Sequence, residues 1–288
     1  MSATAMSWKT NVHAKPTLSE PSMTAYVAAW LRVLHRTNPV LSWAGWLHVL
    51  LLPGAFLALA FDERLVTGLN PWIKPLKFAF SAIIYLWSLG WLLADLPGAA
   101  QRAVRRISWG VATAMLVETV VICVQAARGT TSHYNGSSPL NGLLFSLMGL
   151  FIILNTGLLI WALVLLLRHR PFGPAAYVLG IRLGVLLFLV GSAVGGAMIG
   201  QAAHTVGAPD GGPGLPVLNW STRAGDLRIA HFLGLHALQV VPLLGWWASR
   251  KQPRRAVLLT WLGAAAYAGL VAVLFAQAMR GVPLVAGR

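Results

Sequence analysis

The sequence predicts an all-α integral membrane protein. The expected plan is a bundle of seven transmembrane helices, N-terminus cytoplasmic and C-terminus outside, preceded by an amphipathic surface helix. Three observations carry this. The 288 residues are 57% hydrophobic and only 10% charged, with a mean hydropathy of +0.69. A soluble domain carries about a quarter charged residues, so this apolar excess must face lipid. Seven apolar runs are long enough to cross a bilayer, and turn residues separate them. Lys and Arg are distributed unequally between the two sides those runs define.

The elements follow in order. Residues 1–18 are polar and expected to be unstructured. In 20–36, EPSMTAYVAAWLRVLHR, the residues Met23, Tyr26, Val27, Trp30, Leu31 and Leu34 recur at helical spacing, and Arg32, His35 and Arg36 cluster at the end. This is the pattern of a helix lying on a membrane surface, closed off by Pro39. The first 40 residues therefore form a cytoplasmic tail, 41–280 the membrane domain, and 281–288 a short C-terminal tail. The spans are expected near 41–61, 76–96, 107–126, 142–168, 176–200, 227–249 and 256–278. Asn70-Pro71, Pro97-Gly98 and the Pro171, Gly173, Pro174 group mark joints between them. The fifth span holds Gly180, Gly184, Gly191, Gly195, Gly196 and Gly200. Their spacing of four lets a neighbouring helix approach closely.

Orientation follows from the basic residues. One side collects 14 of the 22 Lys and Arg, the other eight. The richer side should be cytoplasmic, in a bacterial inner membrane. Trp43, Trp46, Trp109, Trp246, Trp247 and Trp261 fall near that interface, as an aromatic belt does. The net charge of +15 is a membrane property, since the basic residues sit in short loops beside anionic headgroups. No soluble basic face offers itself to nucleic acid; the implied partners are the bilayer and a lipid-soluble or small ligand entering from the outer side. Cys123 is alone inside an apolar run, so no disulfide framework is expected. The first long apolar run starts only after residue 40, so no signal peptide is expected.

Polar residues gather toward the outward side. The long loop 201–226 has the length of a lid or binding loop. Arg128 and His133 lie in the third loop, His204 in the fifth, and Lys74 and Lys77 at the mouth of the second span. Headgroup anchoring and contact with an anion both explain those cations. Within the spans, ionisable groups are costly and tend to face the bundle interior. Glu118 lies about 12 Å deep, with Gln125 on the same face of its helix. The stretch GDLRIAHFLGLHALQ places Arg228, His231, His236 and Gln239 within an arc of about 140°, a polar stripe on one helix. Asp226 stands off the stripe, where it can cap the helix. His236 is expected at the depth of Glu118, and His48 near the level of Gln239.

Three chemistries fit such a funnel, beside the plain reading that each histidine is a packing group. A redox cofactor, b-type haem or quinone, would use His48, His231, His236, Gln239, Gln125, Arg228 and Arg128, with Glu118 and His236 as the acid–base groups. A zinc hydrolase would use His133, His204 and His231 or His236, with Glu118 acting on water. Against it, His231 and His236 are five apart, not three or four. A proton-coupled transporter or sensor would use the protonatable groups themselves. A retinal protein is disfavoured, because no span interior offers a lysine.

The runs NPWIKPLKF, QAARGTTSHYN, AHTVGAPDGGPGLPV and GDLRIAHFLGLHALQ resemble those of a bacterial family of multi-span integral membrane proteins. The likeness covers most of 41–280 and implies an integral membrane protein, with no activity attached. The seven-helix plan is also similar to that of the adiponectin-receptor superfamily. Its histidine motif lies on the seventh helix, however, and that helix here contains no histidine.

Overall fold

The computed structural model describes residues 22–287. The polar segment 1–18 lies outside the described residues.

Helix α1, Met23–Thr37, starts at Ser22, whose hydroxyl accepts from the Ala25 N–H. Asn38 then serves two helices. Its N–H closes α1 on the Leu34 carbonyl, and its side-chain oxygen caps α2, Pro39–Phe61, at Leu41 N. Proline is harmless at this first helical position, because its missing N–H would have no intrahelical partner. The apolar side of α1 docks on the bundle: Leu34 is fully buried and Trp30 stacks on Trp91 at 5.6 Å.

The remaining long helices are α3, Ile73–Ala94; α4, Gln101–Ala127; α5, Pro139–Arg168; α6, Ala175–Gly200; α7, Leu227–Lys251; and α8, Ala256–Met279. Together with α2 they form seven helices long and apolar enough to span a membrane. The chain is a multi-pass membrane protein. Large apolar side chains point away from the bundle, with Leu50 at 72% exposure and Ile153 at 70%, surfaces that only lipid can cover.

Helix boundaries lie at or outside the expected spans, the exception being the end of α3, at Ala94 and not 96. α4 begins six residues before its expected start and carries Arg102, Arg105 and Arg106 in its first turns. Hydropathy locates where a helix enters lipid, whereas backbone hydrogen bonding continues past that point. α3 likewise begins at Ile73, with Pro75 tolerated in its first turn.

The tightest joint is between α6 and α7. A Cβ added to Gly234 would lie 2.4 Å from the Gly191 Cα, and one on Gly184 2.9 Å from the Ala237 carbonyl. Gly180 and Gly245 make similar backbone approaches at Val241 and Ala176. Without hydrophobic drive between helices in lipid, such main-chain contact is what holds them together. Gly196 and Gly200 meet nothing within 4 Å and lie off this seam. The buried core lies toward one end, built around Leu86, Leu89, Leu93, Ile107, Leu159 and Ile181.

The two ends of the bundle differ. One carries the short connections between α3 and α4, α5 and α6, and α7 and α8, with arginines in or beside each. The other carries the long loops. Within 201–226 the chain forms a two-stranded antiparallel ribbon, β1 (Thr205–Val206) on β2 (Gly225–Asp226), pairing Thr205 with Asp226. β2 lies so close to α8 that a Cβ on Gly225 would sit 1.9 Å from the Ala278 carbonyl. The chain end returns to this loop, where Gly287 N–H donates to the Thr222 carbonyl at 2.9 Å.

Candidate functional site

A cavity of about 240 Å³ opens inside the loop-rich half of the bundle. α3, α4, α5, α6, α7 and the α4–α5 loop all contribute to its wall. Five residues singled out from the sequence line it: Glu118, His133, His231, His236 and Gln239. The rest of the wall mixes aromatic surface, Phe78, Phe188 and Phe232, with the polar groups Ser81, Tyr85, Tyr134, Asn155, Thr156 and Ser192.

The hydrogen bonds fix what each imidazole can offer. His231 Nδ1 lies 2.7 Å from the Gly191 carbonyl. A carbonyl only accepts, so the proton is on Nδ1 and Nε2 is an acceptor. His133 Nδ1 accepts from Lys74 Nζ at 3.1 Å, which places its proton on Nε2. Burial and the neighbouring Lys74 charge hold His133 well below the usual histidine pKa, so it stays neutral. His236 packs edge-on against Phe232, with ring centroids 4.3 Å apart. Among the described residues, Glu118 Oε1 and Gln239 Oε1 are buried and have no hydrogen-bond partner. Both sit on the cavity wall, where an unmet acceptor costs about 1–3 kcal/mol unless a ligand or water meets it.

Other expected site residues lie elsewhere. His48 is fully buried and does not line the cavity; its Nδ1 is 2.7 Å from the Ala44 carbonyl and its Nε2 2.8 Å from Thr119 Oγ. Both ring nitrogens are occupied, so this histidine fastens α2 to α4. Gln125 and Arg128 join a network that closes the α4–α5 loop. Arg128 Nη1 donates to Gln125 Oε1 at 2.6 Å and to Asn141 Oδ1 at 2.8 Å. Arg228 leaves the stripe to pair with Asp226, through Nε–Oδ1 at 2.9 Å and Nη2–Oδ2 at 2.6 Å, and also donates to the Asn219 carbonyl. Asp226 itself caps α7, accepting from Arg228 N. Burial would raise its carboxyl, but Arg228 holds it below the ordinary value.

His204 pairs with Asp210, Nδ1 to Oδ1 at 3.2 Å, in the loop. Burial and the Arg228 charge lower its pKa to about 4. Lys77 Nζ donates to the carbonyls of Val217 and Leu218, pinning the loop tip over the end of α3. Val217 and Asn219 hold positive φ there, 63° and 56°, a strained conformation for a β-branched valine. Of the rim cations, Lys77 and Arg228 are therefore engaged by the protein, whereas among the described residues Lys74 hydrogen-bonds only with the neutral His133.

Among the described residues no three His, Cys, Asp or Glu side chains converge on one point. The residues present do not fit the expected zinc site: His204 is drawn to Asp210, and His133 Nδ1 accepts from the Lys74 ammonium.

Tyr85 and Asn155 were not singled out from the sequence. The Tyr85 hydroxyl donates to Asn155 Oδ1 at 2.9 Å, across α3 and α5. An asparagine in the middle of the apolar run FIILNTGLL carried the signal, since an amide at that depth needs a partner.

Compared with protein-family models, characterised proteins and solved structures, the chain has no match. The seven apolar helices agree with the multi-span membrane family that the four quoted runs resemble.

Proposed function

We propose that this membrane protein binds a quinone or quinol in the cavity at the loop-rich end, with Glu118, His231, His236 and Gln239 contacting the head group. One observation carries the reading. Two buried oxygens on the cavity wall, Glu118 Oε1 and Gln239 Oε1, form no hydrogen bond of good geometry among the described residues, although the His236 ring lies beside the Gln239 amide. A quinol brings two hydroxyl donors into an otherwise apolar ring, which matches two acceptors set in an aromatic-lined wall. The quinone form needs donors instead, and His133 Nε2–H, the Gln239 amide and a protonated Glu118 supply them. The cavity is thus equipped for both redox states, with Glu118 as the group that exchanges a proton.

Haem is favoured less, because His48, the expected partner of His236, has both nitrogens bound within the bundle. A quinone requires no such pair. With the arginine-rich side cytoplasmic, as in a bacterial inner membrane, the cavity mouth would face outward.

Solvent extraction of the purified protein, with mass spectrometry of the extract, tests the reading. A quinone co-purifying near one per chain, and lost in Gln239→Leu, is expected. Absence of quinone together with no saturable binding of an added benzoquinol overturns it. A Soret band in the visible spectrum, abolished in His231→Ala, would move haem to first place.

A further inference from the structure

A second hollow, of about 400 Å³, lies in the arginine-rich half of the bundle. Trp30, Trp91, Leu243 and Trp246 dominate it, and Gln239 lines it as well as the polar cavity. The two hollows are also in register on the helices they share. On α7 the lining residues run His231, Leu235, Gln239, Pro242 and Trp246, steps of three or four along one face. On α3 they run Phe78, Ser81, Tyr85, Ser88 and Leu92, again one face. α3 and α7 meet only lightly, and the two hollows follow one another along them, meeting at Gln239, so that together they are taken as one furrow. From His231 to Trp246 it extends about 22 Å along the helix axis. Its polarity changes once, at Gln239: donors and acceptors on one side, indole and aliphatic surface on the other.

We infer that the ligand is a long-tailed amphiphile, its polar head in the cavity and its isoprenoid chain threaded past Gln239 into the tryptophan-lined furrow between α3 and α7. The inference rests on the proposed head-group site and names the class of quinone it takes. A tailless quinone would leave the furrow unfilled, and a solute soluble in water would gain nothing from its indoles. The furrow is open at its side, with Leu243 61% exposed, so a chain can enter from the bilayer. Because lipid already solvates such a chain, the gain comes from packing against fixed indole faces and not from leaving water.

The experiment compares three benzoquinols on wild-type protein in nanodiscs: tailless, singly prenylated and tetraprenylated. Roughly tenfold tighter binding of the tetraprenyl compound than of the singly prenylated one is expected, or about 1.4 kcal/mol. Ser88→Phe should reduce it to the affinity of the singly prenylated compound. A tetraprenyl quinol with a diazirine at its far end should label peptides containing Trp91 or Trp246, and excess tailless quinol should suppress that labelling. Equal affinity across the series, or labelling that tailless quinol does not suppress, overturns the threaded tail and leaves the head-group site standing. Failure of all three to bind sinks the head-group reading itself.

Discussion

His48 on α2 and Thr119 on α4 share a hydrogen bond of 2.8 Å inside the bundle, away from the cavity. The bond is a fastener between helices. His48→Ala should therefore lower stability by about 2–4 kcal/mol, from the lost bond and the void left behind. Quinol affinity measured on the surviving folded fraction should stay within twofold. A tenfold loss of affinity would place this histidine in the site.

Asp95 and Tyr177 predict a pH effect at the opposite end. The Tyr177 hydroxyl donates to Asp95 Oδ2 at 2.9 Å. Burial raises the carboxyl to about 6, with the tyrosine bond opposing. A carboxyl raised above its unfolded value stabilises the fold below about pH 4, and that increment is lost as pH rises toward 6. Asp95→Asn keeps the acceptor without the charge. It should gain roughly 2 kcal/mol over wild type at pH 7 and nothing at pH 4, read from thermal unfolding in detergent. A constant difference across this range would contradict the assignment.

Asp226 has the reverse sign. Arg228 holds its carboxyl below the ordinary value. The stability it contributes is complete above about pH 4 and disappears as pH falls through the depressed value. Asp226→Ala also removes the α7 cap and leaves Arg228 without its partner, at an expected cost of about 3–5 kcal/mol. Ser221 N–H, which donates to Asp226 Oδ2 at 2.8 Å, would be released too. Limited proteolysis should then cut within 207–221 at low protease, where wild type resists.

The glycine seam separates two substitutions of identical chemistry. Gly234→Ala would drive a methyl into the Gly191 backbone, whereas Gly196→Ala meets open space. The first should sharply reduce folded yield, at a cost of about 3 kcal/mol. The second should be neutral or slightly stabilising in a helix. Size-exclusion profiles of the two variants side by side decide it.

Much of this architecture is legible in the chain. The runs of apolar residues give all seven spans, and Asn38-Pro39 gives the break between α1 and α2. The stripe of His231, His236 and Gln239 could be read from helical angle alone, because a helix imposes its own geometry. Which polar groups find each other across helices could not be read. Arg228 sat on the stripe by angle yet turned to Asp226, two residues away. His48 is expected near the level of Gln239 but points to Thr119, since depth says nothing about which way a helix is rotated. The two-residue strands of the long loop are too short for any periodic signal, and the close approach of Gly225 to α8 is a contact between distant parts of the chain.

The bond from Gly287 to Thr222 has a practical use. A protein fused after residue 288 would be held beside the long loop, at the end of the bundle nearer the cavity, and would report which compartment that end faces. An alkaline phosphatase fused there, active only outside the cytoplasm, should be active, and a fluorescent protein that matures only inside should stay dark. The same attachment point would give electron microscopy a fiducial mass on an otherwise featureless membrane bundle.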